Sequence, residues 1–318
     1  MIKGKLMSSN FNQFKQQIDQ VLSLVENVAA IKEMQEPQSS IEQLVDTKSL
    51  LNRCEQVCNK HQKQKPTIRI IHHFACSGGT LVSKFLSAMP NVFLLSEVHP
   101  HSGLQRNKDE AQYSPSDLAK LSIYAGIPDQ EKLAEQIFVD SVKSIHQHIE
   151  SRGGVLILRD HSHSDYCVGE HLHNNTVVEL LKNDFNIISL VTLRNPIDSY
   201  LSLVTNGWVH FQPASFDEYC ARLLAFLDNF DKDNVVCYED VVSNPSTVVH
   251  RMCNKLSLPF DDTFESIFDV FSVTGDSGRK GVKILPRKRR DIPHEVCIQI
   301  NGSKNYKFIC ENYPAIGL

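Results

Sequence analysis

Residues 72–86 read "HHFACSGGTLVSKFL", and the fold is decided here. The stretch extends the β-branched run "TIRII" from residue 67, turns through Ser77, Gly78, Gly79 and Thr80, and enters an apolar helical pattern at once. A strand that passes through glycines into a helix N-terminus is a cradle for anions. The glycines let the backbone come close, and the first N–H groups of the helix point at whatever lies there. Ser77 and Thr80 add hydroxyls. The loop lacks the Gly-Lys-Ser/Thr ending of a Walker A motif, which argues against a kinase or ATPase.

Working outward, "NVFLLSEV", "GVLILRD", "NIISLVTLR" and "NVVCYEDV" repeat the strand texture. Helical patterns at 79–89, 130–150, 175–183, 196–206 and 215–230 separate them. Alternating strands and helices predict an α/β three-layer sandwich with a central parallel sheet, P-loop-NTPase-like in plan. Such sheets bind ligands beyond the carboxyl ends of their strands. The residues of interest are therefore Cys76 to Thr80, Glu97, Arg159 to His163, and Arg194 to Asp198.

The chain has 318 residues, 41% of them apolar and 22% charged, and its net charge of −4 argues against a general nucleic-acid binder. No apolar run is long enough to span a membrane and no signal core opens the chain, so a cytoplasmic protein is expected. Nine scattered cysteines without metal spacing read as reduced thiols, and no metal is expected. Residues 1–65 form a helical appendage and linker. Phe14, Ile18, Val21, Val25 and Val28 recur at helical spacing, as do Ile41, Leu44, Val45, Leu51 and Cys54, and "NKHQKQKP" follows. These helices are the expected contact of a homodimer. Residues 66–318 form the α/β domain.

A second element, "LVTLRNPIDSYLSL" at 190–203, ends a strand at Arg194 and starts a helix at Pro196, with Ser202 eight residues after the arginine. An arginine fork and a hydroxyl so placed can share a phosphate. A strand–Ser-Gly-Gly-Thr–helix followed over a hundred residues later by Arg-Asn-Pro-x-Asp-x-x-x-Ser resembles the sulfotransferase family over roughly residues 67–315. The nearest likeness is to its bacterial carbohydrate and tyrosylprotein branches. The resemblance implies 3′-phosphoadenosine-5′-phosphosulfate as sulfuryl donor and a direct in-line transfer to an acceptor hydroxyl. It puts the 5′-phosphosulfate on Cys76, Ser77, Gly78, Gly79 and Thr80, and the 3′-phosphate on Arg194 and Ser202. A late "SGR", Ser277, Gly278 and Arg279, would close the nucleotide site, with Lys280 as a second candidate.

The same resemblance makes Glu97, at the end of "NVFLLSEV", the general base, a role that a carboxylate beside the donor loop also suits on physical grounds. His99 competes for it. Arg159 stands where related branches carry a cation facing the sulfate, Asp160 could orient it, and His161 and His163 are candidates for the acceptor pocket. Relatives hold Lys or Arg just before the Ser-Gly of the first loop, where this chain has Cys76, so Arg159 is the expected substitute. The expected acceptor is a glycan or a small hydroxylated molecule, with Tyr200, Trp208, His210 and Phe211 as a candidate sugar platform. The alternative is a nucleotide-binding scaffold that kept the fold without catalysis.

Overall fold

The computed structural model describes residues 19–20, 52, 54–55, 65–102, 115–169, 175–274, 284 and 289–316. The chain divides into two units, Met1–Lys65 and Pro66–Leu318. In the first, Asp19, Gln20, Asn52, Cys54 and Glu55 are helical. The rest of the expected N-terminal helices, with their dimer contact, lie outside the described residues.

The second unit holds strands β1 (Thr67–His73), β2 (Val92–Val98), β3 (Val155–Asp160), β4 (Val168–Gly169), β5 (Asn186–Leu193), β6 (His210–Phe211) and β7 (Val235–Cys237). Between and after them run helices α1 (Gly79–Ser87), α2 (Leu118–Tyr124), α3 (Gln130–Glu150), α4 (His163–Tyr166), α5 (Thr176–Leu181) and α6 (Pro196–Thr205). These are followed by α7 (Phe216–Leu227), α8 (Tyr238–Ser243), α9 (Pro245–Leu256), α10 (Phe264–Ile267), α11 (His294–Gly302) and α12 (Lys304–Asn312). The main sheet has five strands in the order β2-β3-β1-β5-β7, every pair parallel.

Alternation along the strands builds the layers. Ile68 and Ile70 of β1 pack with Leu156 and Leu158 of β3 against Val142 of α3 and Val177 and Leu181 of α5. Ile71 and Ile157, of opposite parity, face Val82, Phe85 and Leu86 of α1 and Val249, Met252 and Leu256 of α9. Each fully buried aliphatic or aromatic side chain contributes on the order of 1.5–3 kcal/mol, so two covered faces give a core able to hold the loops rigidly. The predicted α/β three-layer architecture is the one observed.

One boundary differs. "NVVCYEDV" is a strand only to Cys237, and Tyr238 begins α8. Tyr238, Val241 and Val242 are the buried residues of α8, a helical spacing that the apolar run disguised.

The order reverses at β1, because β3 lies on one side of it and β5 on the other. His73 at the end of β1 is level with Thr192, and Ile71 with Arg159. The carboxyl ends of β1, β3 and β5 thus open on one crevice, the switch point at which ligands of such sheets lie.

Candidate active site

The loop after β1 is shaped by two neighbours. Gly78 caps α1 with φ 91°, and a Cβ there would stand 2.2 Å from the Tyr238 ring. A Cβ on Gly79 would stand 2.6 Å from the His73 ring. Both positions require glycine, one for its backbone conformation and both for space. Ser77 is buried, with its N–H donating to the Phe74 carbonyl at 3.1 Å and its hydroxyl 3.1 Å from Thr192 Oγ1. Cys76 has φ 63°. Its carbonyl accepts from Arg194 Nη1 at 3.3 Å and from Ser199 Oγ at 3.4 Å, which ties the loop to α6.

Asn195 caps α6, its side chain accepting from the Ile197 N–H at 2.9 Å, with Pro196 in the first turn. The Asn195 N–H donates to Glu239 Oε1 at 2.9 Å, so the start of α8 positions the start of α6. Arg194 lies with its guanidinium 5.1 Å from the Tyr238 ring centroid, a cation–π contact that leaves the fork in the crevice. Cys76 to Thr80, Arg194 and Ser202 all line one cavity of about 850 Å³. Residues more than a hundred positions apart meet there.

Glu97 lines the same cavity. It sits where the β2–β3 register shifts, with φ 59°, and this irregularity turns its side chain inward. Its Oε1 is 2.5 Å from Arg159 Nη2 and 3.4 Å from His73 Nε2, and its Oε2 is 3.5 Å from His161 Nε2. Burial drives the carboxyl upward, but His73, Arg159 and His161 outweigh it and hold it down at about 2. Burial and the Arg159 charge in turn depress His73. Arg159 is thus the permanent cation of the set. Oε2 is buried without a hydrogen-bonding partner among the described residues.

A model of the sulfotransferase family matches residues 70–262, more than half of the chain. The chain belongs to the sulfotransferase family.

It is thus a transferase enzyme. Solved structures similar to this sulfotransferase include the sulfotransferase domain of the Synechococcus PCC 7002 olefin synthase, at 17% identity and TM-score 0.42. That match covers 67% of this chain and 80% of that one. The sulfotransferase domain of the curacin biosynthetic pathway matches at 17% identity and TM-score 0.45, covering 79% and 99%. Mouse sulfotransferase SULT7A1 complexed with PAP matches at 10% identity and TM-score 0.38, covering 77% and 88%. No curated protein matches the chain.

The other expected site residues are placed as follows. Arg159 is 3% exposed and fully engaged: besides Glu97 and His73, its Nη1 donates to Ser96 Oγ and the Thr274 carbonyl, each at 3.1 Å. It bonds His73, which packs on Gly79 of the glycine loop. Asp160 does not orient it; that carboxylate accepts from Ser162 Oγ at 2.7 Å and lies 3.0 Å from His72 Nδ1.

His99 lies outside the cavity lining. Its Nδ1 accepts from the His101 N–H at 3.1 Å, so the ring proton is on Nε2, which donates to Asp165 at 3.0 Å. No lone pair is left on His99 to take a proton from an acceptor. Burial pushes the Cys76 thiol up, against the Ser202 hydroxyl and Arg194, so it stays protonated near neutral pH.

Ser277, Gly278, Arg279 and Lys280 lie outside the described residues. Thr274, the last described residue before them, bonds Ser96 through both its carbonyl and its hydroxyl. Arg289, beyond them, pairs with Asp198 of α6 at 3.1 Å. Among the described residues no His, Cys, Asp and Glu group is arranged to hold a metal, and no helix is long and apolar enough to cross a membrane.

Three contributors escaped the sequence reading: Tyr238, Glu239 and His73. Tyr238 and Glu239 directly follow a strand's carboxyl end, the signal used elsewhere, but "NVVCYEDV" was read as one strand. His73 carries no signal of its own inside the strand run, and its contacts with Gly79, Arg159 and Glu97 show its place.

Proposed function

We propose that this sulfotransferase moves a sulfuryl group from 3′-phosphoadenosine-5′-phosphosulfate to the hydroxyl of a carbohydrate acceptor, in line, with Glu97 as general base. The observation that carries the reading is one cavity lined by the glycine loop, by Arg194 with Ser202, and by Glu97. The residues fit such a donor. The Gly78–Gly79 turn has no room for a Cβ, and the N-terminus of α1 follows it directly, an arrangement that supports a 5′-phosphosulfate site. Arg194 and Ser202 stand ready for the 3′-phosphate. When bound, the donor supplies the sulfuryl group and a bisphosphonucleotide leaving group.

The chain's own residues supply the rest. Glu97 is ionised across the physiological range, and its Oε2 has a spare lone pair for the acceptor proton. Arg159 holds Oε1, which fixes the carboxylate's direction. With Cys76 in place of a loop cation, the opening N–H groups of α1 take the larger share of charge stabilisation on the leaving side. Trp208, which lines the cavity and is 37% exposed, gives an acceptor sugar a flat face.

A second reading is favoured by one observation. A carboxyl held near 2 is a weak base, whereas the neutral His161 imidazole is the stronger one and stands 3.5 Å from Oε2. Burial, set against the pull of Glu97, depresses His161, so it is neutral near pH 7. The pH profile of kcat separates the two. With Glu97 as base, kcat stays level from about pH 8 down to pH 5; with His161, it falls as that imidazole gains its proton. A level profile together with loss of turnover in Glu97→Gln supports Glu97. Full turnover in Glu97→Gln would remove it from the role.

A further inference from the structure

Four imidazoles line the cavity: His73 beside the glycine loop, and His161, His163 and His210. His73 and His161 have partners. Arg159 is 2.9 Å from His73, and the Ser164 hydroxyl is 2.9 Å from His161 Nδ1. His163 is different. It is 8% exposed, and its Nε2 is buried without a hydrogen-bonding partner among the described residues. Leaving such a nitrogen unmatched is unfavourable, a cost that a ligand with a hydroxyl would remove.

The ring is also held in place. His163 opens α4, and its carbonyl accepts from the Cys167 N–H at 2.9 Å. Asp165, two residues on, accepts from His99 Nε2 and from the Thr176 N–H and hydroxyl. The His163 ring lies nearly parallel to His161, at 11° and 5.8 Å, and edge-on to His210 at 5.8 Å. Burial, with His161 and His210 adding to it, keeps His163 down at about 3, so the group is an uncharged donor–acceptor.

Among the described residues, the charges on this wall are paired, which suits an uncharged guest. Arg159 is neutralised by Glu97, and Lys120, which also lines the cavity, is 3.6 Å from Asp117. Trp208 offers an apolar face.

We propose that His163 determines acceptor specificity, its Nε2 hydrogen-bonding a hydroxyl of an uncharged, polyhydroxylated acceptor. The proposal rests on the sulfuryl-transfer reading above and adds to it both the chemical class of the acceptor and the residue that selects it.

The test uses the full-length enzyme, sulfate transfer to an uncharged nitrophenyl galactoside and to the matching anionic nitrophenyl glucuronide, and calorimetry with the desulfated nucleotide. The wild type should favour the galactoside. His163→Phe, which removes the nitrogens at similar volume, should raise the galactoside KM about 10–100-fold while changing kcat less than about 3-fold, as loss of a substrate-hydroxyl contact does. Nucleotide affinity should be unchanged. His163→Gln places an amide near the Nε2 position and should recover most of the KM, whereas His163→Asn, which mimics Nδ1, should not. If the Phe variant fails to fold, the Gln and Asn pair decides.

A wild-type KM in His163→Phe overturns the proposal, as does equal behaviour of the Gln and Asn variants. So does a preference for the glucuronide, or transfer to neither probe by an enzyme that binds the nucleotide. A wild type that does not bind the nucleotide fails earlier, at the donor reading itself.

Discussion

The two ends of the cavity are built by opposite means. The end proposed for the donor has backbone N–H groups, a helix N-terminus and the Arg194 cation, all suited to phosphate. The acceptor end has its cation, Arg159, locked to Glu97, with depressed, uncharged imidazoles around it. One end attracts anions by fixed charge; the other presents hydrogen bonds in a nearly neutral lining. The lesson is that an arginine in an active site need not face the substrate. Arg159 here pairs with Glu97, helps to depress that carboxyl, and bonds His73 beside the glycine loop.

The sharpest way to break this contrast is at Gly78. Its φ of 91° and the Tyr238 ring at 2.2 Å leave no room for a Cβ. Gly78→Ala should abolish detectable nucleotide binding and lower stability by about 1–3 kcal/mol, checked by calorimetry and urea denaturation. Near-native binding in that variant would mean that the cradle is not where phosphate sits. Next in size, Glu97→Gln should cut kcat about 10²–10⁴-fold with nucleotide affinity preserved, a split between the two ends that single-turnover assays would show.

A third effect concerns acid. Glu97 is depressed from 4.5 to about 2 on folding, so its contribution to stability is complete above about pH 4.5 and is lost as pH falls towards 2. Acid denaturation followed by circular dichroism should show a shallower limb in that window for Glu97→Gln than for the wild type. The smallest expected effect is at the Arg289–Asp198 pair, which is partly exposed. Asp198→Asn should change nucleotide affinity by less than about 5-fold, since such pairs contribute about 0–1 kcal/mol. A larger loss would make the pair a structural gate of the donor end.

The residues of the proposed donor end could be named from sequence because their signals are local: glycines after a strand, and Arg194 and Ser202 a fixed spacing apart at one helix start. The parallel sheet was legible for the same reason, since Ile68, Ile70 and Ile71 carry their own alternation. The acceptor end was only half legible. Glu97 and Arg159 could be named from their strand ends, but their 2.5 Å pairing depends on a register shift that no local pattern announces. His99 looked equivalent to Glu97 by position. Its Asp165 contact, which with the neighbouring His101 N–H withdraws it from the cavity, comes from 66 positions away. Tyr238 was hidden because the apolar run of β7 continues without a break into helical spacing.

The central claim is that Arg194 and the glycine loop clamp the two phosphate ends of one nucleotide. The measurement that tests it most directly is a calorimetric cycle combining wild type and Arg194→Ala with 3′-phosphoadenosine-5′-phosphate and adenosine 5′-phosphate. Removing the arginine, or the 3′-phosphate, should each weaken binding by about 10–100-fold, and removing both should cost little more than either alone. Additive losses, or an Arg194→Ala protein that binds the bisphosphonucleotide like wild type, would contradict the account.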